Sequence, residues 1–293
     1  MRKLNSILEY KRIYANWISA LYYVHFRNKN IIKIKIRNGK DLAVPKEMVY
    51  IVKELVNSNK LTKVSELDFS DGILTFQYLG KIVKMKFYRN GILNGELASF
   101  LGDYDFLEPI KGNTLIDVGA NIADSSVWFA IRDAFKVIAL EPYRWNYNMA
   151  IQNIELNHLK DRIVMLNAGY GPDGEIEIED TIANIGTVLK EFKGGITIPL
   201  ITLKSLLLMY GKDSGGDLLL KMDCEGCEYN ILKEEESTLI RFSKILIEYH
   251  NGYENLVEKL KKCGFVSEYT KPHTWYDETT KRNFVQGYLY AHK

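Results

Sequence analysis

The chain has 293 residues, of which 46% are hydrophobic and 26% charged, a composition typical of a globular protein with a sizeable core. No apolar run approaches the roughly 20 residues that a membrane-spanning helix needs. The longest near the start, Trp17 to Phe26, is about half that length. Three cysteines and no recognisable secretory leader predict a reducing, cytoplasmic location.

Charge is divided unevenly along the chain. Residues 1–90 contain 18 Lys and Arg against 7 Asp and Glu, a net charge of +11, so the rest carries −9 to give the total of +2. A split of this size predicts two structural regions, which we place at residues 1–100 and 101–293. It also leaves open an anionic partner for the first region.

The first region is predicted to be a small α+β unit. Its strands carry lysines on one face, which is typical of solvated faces that discourage edge-to-edge pairing. A polyanion or a glycan is the alternative for these faces, as a membrane surface is for the first helix. In chain order, the predicted elements are a helix at 1–26, a strand at 32–36, a hairpin turn at Asn38-Gly39, a helix with Pro45 in its first turn, and strands at 74–78 and 81–88.

From about residue 111 the pattern becomes a regular alternation of strands and helices, which predicts a mostly parallel sheet. The last two strands have no helix between them and are expected to pair as a hairpin at the sheet edge. The turn at Gly171–Gly174 predicts an inserted hairpin, and the last helix is predicted to have Asn251 as its cap and Gly264 just beyond its end. The predicted strands are 115–118, 136–140, 163–166, 217–222, 244–248, 265–269 and 284–291, with a helix at 202–209.

The segment from Thr114 to Ser125 predicts a ligand site. An apolar strand ends in a tight turn at Gly119-Ala120-Asn121 and leads into a helix capped by Asp124 or Ser125, an arrangement with which open α/β sheets build a nucleotide-binding crevice. A dinucleotide fingerprint needs three glycines, and only Gly119 is present, which argues against NAD. Acidic and amide side chains there suit a ligand with a cationic group, such as the ammonium of an amino acid.

Five stretches of the second region carry motifs: Ile116–Ser125, Val137–Pro142, Asn153–Asn157, Leu220–Glu228 and Ile247–His250. Together they resemble the FkbM-type family of class I S-adenosylmethionine-dependent methyltransferases, over roughly residues 100–290. The resemblance implies an α/β fold with a Rossmann-like, mostly parallel seven-stranded sheet and a terminal antiparallel hairpin, beside the small N-terminal α+β region. It implies that residues 101–293 form the catalytic domain and that residues 1–100 face the substrate or a partner. The family usually has glycine where Ala123 stands.

The resemblance also implies which residues bind S-adenosylmethionine, whose product is S-adenosylhomocysteine. It lays the methionine part of the cofactor over Gly119, Ala120 and Asn121, with Asp117 near its amino group. Glu141 follows the second strand, where this class binds the two ribose hydroxyls, and a carboxylate can accept both. Asn167, after the third strand, is expected to meet the adenine.

The expected catalytic residues are Asp223, Glu225 and His250, with Glu248 nearby. Methyl transfer to a hydroxyl needs alignment and a group that takes the hydroxyl proton. The resemblance puts Asp223 near the transferred methyl and the acceptor, whereas a backbone hydrogen bond explains His250 as well as a role as base does. No residue is assigned as a metal ligand, although Asp223 and Glu225 would allow a divalent ion.

Cys224 and Cys227 form a C-x-x-C motif, which is typical of metal and redox sites. No second cysteine pair exists to complete a tetrahedral zinc site. We therefore expect both to be structural thiols.

Three functions remain open at this point. The resemblance favours O-methylation of a sugar, a glycolipid or a small natural product, with a small-molecule or carbohydrate-like acceptor as the partner. RNA methylation, with the basic N-terminal region holding the strand, is less favoured. The third is a non-enzyme, a methyltransferase fold kept as a binding module.

Overall fold

The computed structural model describes residues 2–26, 30–87, 97–183, 187–211, 215–277 and 282–293. The chain forms two compact units, one comprising Met1–Asp103 with Glu155–Asn157 and the other Tyr104–Ile154 with His158–Lys293. Among the described helices, none has both the length and the apolar character that crossing a bilayer demands.

The first unit combines helices with two small antiparallel sheets, β1-β2 and β3-β4-β5. Its described elements are α1 (Arg2–Ile13), α2 (Trp17–His25), β1 (Ile31–Lys35), β2 (Asp41–Pro45), α3 (Lys46–Asn57), β3 (Asp68–Ser70), β4 (Ile73–Tyr78), β5 (Lys81–Lys86) and α4 (Ala98–Leu101).

The single helix predicted over residues 1–26 is wrong, because the chain breaks between α1 and α2. Tyr14 is fully buried at this break, and its hydroxyl donates a hydrogen bond of 2.7 Å to the backbone oxygen of Val49 in α3. The side-chain oxygen of Asn16 accepts a hydrogen bond of 2.8 Å from the backbone of Lys35 in β1. These long-range bonds interrupt the helix, and helical periodicity carries no information about them.

The hairpin predicted after β1 is confirmed, with Ile32 and Ile34 buried and Lys33 and Lys35 exposed. Its turn is longer than predicted, since Lys35 pairs with Asp41 and residues 36–40 connect them. The predicted helix that follows is α3, which begins directly after Pro45. The end predicted for the strand at 81–88 lies outside the described residues.

The second unit holds the large sheet and the helices that cover it. Its strands are β6 (Thr114–Val118), β7 (Lys136–Leu140), β8 (Ile163–Leu166), β9 (Gly169–Tyr170), β10 (Gly174–Ile178), β11 (Ile196–Ile201), β12 (Leu218–Met222), β13 (Phe242–Tyr249), β14 (Val266–Tyr269), β15 (His273–Asp277) and β16 (Arg282–His292). Its helices are α5 (Asp124–Ile131), α6 (Arg144–Leu156), α7 (Leu203–Tyr210), α8 (Glu236–Leu239) and α9 (Glu254–Lys262).

The main sheet has the strand order β14-β16-β13-β12-β6-β7-β8, with β15 also paired to β16. The strands from β13 to β8 are parallel, and β16 is antiparallel to both β13 and β14. The predicted parallel sheet with a terminal antiparallel pair is therefore confirmed. Its edge holds one strand more than predicted, because the 11-residue β16 is long enough to pair with β15 as well.

The inserted hairpin is confirmed as β10, which pairs with β11 in a separate small sheet that β9 joins. The helix predicted at 202–209 is α7. Thr202 caps it, and its hydroxyl accepts a hydrogen bond of 3.1 Å from the backbone of Ser205.

Two predicted helix caps are wrong. The cap position of α5 is Ala123, in the left-handed region at φ 65°, and Asp124 is already helical. The hydroxyl of Ser125 does not cap the helix either, because it donates to Asp117. The cap position of α9 is Tyr253, since the backbone of Asn251 bridges to β16 instead. Gly264, at φ 82°, follows the end of α9 as predicted.

Candidate functional site

The expected site residues meet at one edge of the main sheet. Because parallel strands all end at the same edge, the residues that follow them come together although they are far apart in sequence. The central strand β12 lies between β6 and β13, so Asp223 lies between the ends of those two strands. Gly119 follows β6, Glu141 follows β7, Asn167 follows β8, Asp223 follows β12 and His250 follows β13.

Residues 119–123, which we call the glycine turn, connect β6 to α5. The backbone amides of Gly119 and Ala120 both donate to the oxygen of Leu140, at 3.1 and 2.9 Å. Gly119 has a φ of 77°, and a Cβ there would lie 1.8 Å from the backbone oxygen of Asp223. Glycine is therefore required at this position by the close approach of the segment after β12.

Asp117 lies beneath the glycine turn and is fully buried. One carboxylate oxygen accepts hydrogen bonds of 2.6 Å from the hydroxyls of Ser125 and Ser126, and the other is 3.0 Å from the ammonium of Lys221. Lys221 also donates to the backbone oxygen of Gly119 at 2.9 Å. Asp117 and Lys221 thus connect strands β6 and β12 to the turn and to α5.

Lys221 is a residue whose role sequence reasoning missed. Burial lowers the pKa of its ammonium, but the charges of Asp117 and Asp223 outweigh burial and hold the pKa above its usual value. The sequence signal was a lysine inside the otherwise apolar strand β12. In the structure this side chain is 1% exposed. A buried charge of this kind is retained only when it is paired.

Glu141 is buried at the end of β7, where it is 4% exposed. Its two carboxylate oxygens accept one backbone hydrogen bond each, from Asn121 at 2.9 Å and from Tyr143 at 3.0 Å. Burial raises the pKa of Glu141 to about 7, against the lowering effect of these two bonds. Each oxygen has a second lone pair with which it can accept a further hydrogen bond.

The two expected amide ligands make bonds within the protein. The side-chain nitrogen of Asn167 donates to the backbone oxygens of Glu141 and Pro142, both at 2.9 Å. The side-chain oxygen of Asn121 accepts from the side-chain nitrogen of the buried Asn146 at 2.5 Å. Both side chains therefore order the loops at this edge of the sheet.

Asp223, Glu225 and His250, which we call the acidic cluster, are brought together by β12 and β13. One potential ligand atom from each residue lies within 4.8 Å of the other two. The second imidazole nitrogen of His250, Nε2, is 3.2 Å from the carboxylate of Glu225. Glu225 has a φ of 56°, a left-handed conformation that is strained for this residue type. The hydroxyl of Tyr104 donates to Asp223 at 3.5 Å.

Glu228 orients His250 and is a second residue to which sequence reasoning gave no role. It is fully buried, and one carboxylate oxygen lies 3.0 Å from Nδ1 of His250 and accepts from the backbone amide of His250 at 3.1 Å. The other oxygen accepts from the backbone of Gly226 at 2.7 Å. The signal was a third carboxylate in the segment after β12.

The pKa values around the cluster reflect its burial and its charges. Burial lowers the pKa of His250, but the hydrogen bond and charge of Glu228 outweigh it and raise the pKa to about 9. Burial is also the main reason that the pKa of the neighbouring Glu248 is raised, and the charge of Asp223 adds to it.

Cys224 and Cys227 form a disulfide, so the expectation of two structural thiols is wrong. The turn after β12 brings their Cα atoms to 5.4 Å, within the range that a disulfide bridges. Cys263 is buried and free.

The methyltransferase FkbM domain matches residues 117–267, which is more than half of the chain and contains every site residue that the sequence predicts. The chain belongs to the FkbM methyltransferase family. It is therefore an S-adenosylmethionine-dependent methyltransferase. No curated protein matches the chain.

Several solved structures are similar to this FkbM-family chain in fold. A putative transferase from Pyrococcus horikoshii is 16% identical, covers 94% of this chain and 98% of its own, and gives a TM-score of 0.43. TYW2 of P. horikoshii in complex with MeSAdo is also 16% identical, covering 86% of this chain and 88% of its own at a TM-score of 0.41. A putative tRNA (m1A22) methyltransferase from Streptococcus pneumoniae is 16% identical, with 65% and 69% covered and a TM-score of 0.37. At these TM-scores the likenesses carry no argument about activity.

The groups at the sheet edge fit S-adenosylmethionine, the cofactor of this FkbM-family chain. The cofactor carries positive charge on its ammonium and sulfonium groups, and the carboxylates of Asp117, Asp124 and Glu141 lie at this edge. Burial raises the pKa of Asp124 to about 6, so it is still largely ionised at neutral pH. The spare lone pairs of Glu141 match the two hydroxyls of a ribose.

Proposed function

We propose that this methyltransferase methylates a hydroxyl oxygen of a sugar, a glycolipid or a small natural product. The observation that carries the proposal is the acidic cluster, because it gathers two carboxylates able to accept a proton, beside the imidazole of His250, at the sheet edge that also holds the glycine turn. A hydroxyl is a weak nucleophile until such a group removes its proton in the transition state.

On the cofactor side, we assign the ribose hydroxyls to Glu141 and the adenine to Asn167. Asp124 supplies the negative potential that attracts the ammonium group, because the charge of Asp117 is already paired with Lys221. Gly119 and Ala120 keep the turn free of bulky side chains. Asn121 holds the turn against Glu141 through its backbone amide. When bound, S-adenosylmethionine supplies a methyl group that its sulfonium makes electrophilic.

On the acceptor side, we assign removal of the hydroxyl proton to the carboxylates of Asp223 and Glu225, with the imidazole of His250 beside them. Glu228 keeps the imidazole of His250 in a fixed orientation, which is what a group that handles a proton requires. Alignment of the acceptor oxygen with the methyl carbon supplies much of the remaining rate enhancement.

Calorimetric titration with S-adenosylhomocysteine, with NAD as the control ligand, tests the cofactor half of the proposal. We expect saturable binding of S-adenosylhomocysteine alone. Glu141→Gln should abolish it, and Glu175→Gln, an exposed glutamate on β10, should not. Failure of the wild-type protein to bind S-adenosylhomocysteine would overturn this half.

Transfer of a labelled methyl group to a panel of hydroxylated sugars, glycolipids and small natural products tests the acceptor half. Asp223→Asn should lower kcat by about 100-fold or more while S-adenosylhomocysteine still binds. If the labelled methyl appears on nitrogen or carbon, or only on RNA, methylation of a hydroxyl on a sugar, a glycolipid or a small natural product is ruled out.

RNA methylation is the second candidate, on the observation that Lys33, Lys35 and Lys84 are exposed on strands of the first unit. It requires RNA binding that weakens steeply with salt and that loses part of its salt dependence when these lysines are replaced.

A further inference from the structure

The acidic cluster has the composition and spacing of a metal site. Two carboxylates and one imidazole present potential ligand atoms within 4.8 Å of one another. They come from two adjacent strands, since Asp223 and Glu225 follow β12 and His250 follows β13. A cluster of acidic groups does not make a metal site by itself, so the state of the imidazole decides the question.

His250 is held as metal-binding histidines are held. It is 4% exposed, its Nδ1 lies 3.0 Å from the carboxylate of Glu228, and its backbone amide donates to the same oxygen. Its Nε2 is buried and forms no hydrogen bond among the described residues, and the carboxylate of Glu225 lies 3.2 Å from it, as a second ligand of a shared ion would. A ligating histidine almost always donates its other ring N–H to a carboxylate or carbonyl, which fixes the tautomer and turns the free nitrogen toward the metal.

Glu228 can hold this orientation because it is itself fixed. Its second oxygen accepts from the backbone of Gly226, at φ 112°. The turn after β12 therefore holds two of the three ligands, Asp223 and Glu225, together with the residue that orients the imidazole. The same turn contains Glu225 in its left-handed conformation. Strain of this kind persists where the surrounding structure enforces it, and it is concentrated at functional sites.

We propose that Asp223, Glu225 and His250 bind a divalent cation, with Mn²⁺ the best match. Carboxylate oxygens favour Mg²⁺, Ca²⁺ and Mn²⁺, and an imidazole nitrogen favours the transition metals, so the mixed set selects Mn²⁺ from the first group. The cysteines beside the site are joined in a disulfide and offer no thiolates, so a sulfur-rich zinc site is not formed. Three protein ligands leave positions for water or a substrate oxygen.

The consequence for the acceptor rests on the proposed hydroxyl methylation, whereas the binding itself does not. A cation in the cluster would hold the acceptor oxygen and lower the pKa of its hydroxyl, a second route to its deprotonation. An acceptor with two neighbouring oxygens, such as a vicinal diol or an α-hydroxy carbonyl compound, could chelate through both. We therefore assign the enzyme's preference to this class of hydroxylated compound.

Titration of the purified, disulfide-intact protein with Mn²⁺, followed by the paramagnetic resonance signal of the free ion and by calorimetry, tests the proposal. We expect one saturable site per chain, with weaker binding of Mg²⁺. Glu225→Gln and His250→Gln should each weaken Mn²⁺ binding by at least about 100-fold, and Glu228→Gln by about 10–100-fold. Glu175→Gln, the exposed control, should bind as the wild type does.

The result that would overturn the metal site is a cluster whose carboxylates and imidazole already compensate one another's charges and bind no cation. In that case the imidazole keeps its proton between Glu225 and Glu228 when Mn²⁺ is added, and the wild-type protein binds Mn²⁺ no more tightly than Glu225→Gln or His250→Gln does. Circular dichroism and binding of S-adenosylhomocysteine establish that each variant is folded, so that lost metal binding reflects the site.

These readouts separate the two proposals. Binding of S-adenosylhomocysteine without Mn²⁺ binding overturns the metal site and leaves hydroxyl methylation standing. Mn²⁺ binding that depends on the cluster, in a protein that methylates no hydroxylated acceptor, overturns hydroxyl methylation and leaves the metal site standing. Equal activity on vicinal diols and on isolated hydroxyls overturns the chelation preference alone.

Discussion

Lys221 shows how much one buried charge can hold together in this chain. It is 1% exposed, pairs with the fully buried Asp117 at 3.0 Å and donates to the backbone of Gly119. Removing one partner of such a pair leaves the other as an uncompensated charge, whereas removing both need not destabilise the fold.

Lys221→Met should lower the free energy of unfolding by about 3–5 kcal/mol, measured by urea denaturation, because it leaves the Asp117 carboxylate unpaired. The double variant Lys221→Met with Asp117→Asn should recover part of that loss. Lys193→Met, at an exposed position, is the control and should change stability by less than about 0.5 kcal/mol. A loss below about 1 kcal/mol for Lys221→Met would mean that the pair is not a structural one.

Gly119 can be tested against a matched glycine. Gly112 has a φ of 79°, close to the 77° of Gly119, but a Cβ at Gly112 meets nothing within 4 Å. Gly112→Ala should therefore lower the free energy of unfolding by about 1 kcal/mol, the conformational cost alone. Gly119→Ala should lower it by about 1–3 kcal/mol more, because its Cβ would overlap the Asp223 backbone. If urea denaturation gives equal losses of unfolding free energy for the two variants, the segment after β12 moves away from the added Cβ at no cost.

Glu141 should make stability depend on pH. Its pKa rises from the usual 4.5 to about 7 in the folded protein, mainly through burial. The folded state therefore holds the proton more tightly than the unfolded chain does. The contribution of Glu141 to the free energy of unfolding is fully present below about pH 4.5. It is lost, by about 3 kcal/mol, as the pH rises through about 7.

Comparison of the wild type with Glu141→Gln, which cannot ionise, isolates this contribution. Urea denaturation at pH 5 and at pH 7.5 should give a smaller difference between the two pH values for the variant than for the wild type. Glu175→Gln, at an exposed position, should leave the difference unchanged. An equal pH dependence in the wild type and Glu141→Gln would show that Glu141 titrates normally.

Among the secondary-structure elements, α7 begins one residue after its predicted start at Thr202, and its cap is testable. The hydroxyl of Thr202 accepts from the Ser205 backbone and donates to Asp173 at 3.2 Å. Thr202→Ala should lower the free energy of unfolding by about 1 kcal/mol, and Thr202→Ser, which keeps the hydroxyl, should lower it much less. Thermal denaturation with equal midpoints for the two variants would contradict the role of the cap.

Element types followed from periodicity, whereas several element ends did not. The parallel strands β6, β7 and β12 lie close to their predicted residues because uninterrupted apolar runs between turn residues have few alternatives. The α1–α2 break and the start of α9 depend on bonds to distant segments, at Val49 and β16. The local sequence pattern carries no information about bonds to distant segments.

For the whole molecule, ligand binding should stabilise the unit that contains the sheet edge. S-adenosylhomocysteine at 100 times its Kd should add about 2.7 kcal/mol to the unfolding free energy of the ligand-binding unit. Hydrogen exchange followed by mass spectrometry should report the added protection in residues 104–293, and not in β1–β5 of the first unit. Protection spread equally over both units would contradict a site built from the second unit alone.

The sequence by itself determined the family, the parallel sheet with its antiparallel edge, and the order in which site residues follow the strands. These features are local, since apolar runs, turn residues and short motifs encode them within a few positions. Tertiary structure decided the partners: Lys221 for Asp117, Glu228 for His250 and Cys227 for Cys224. It also decided that the acidic cluster brings the buried Nε2 of His250 within 3.2 Å of the Glu225 carboxylate. Such pairings depend on distances between segments that only the packed sheet brings together.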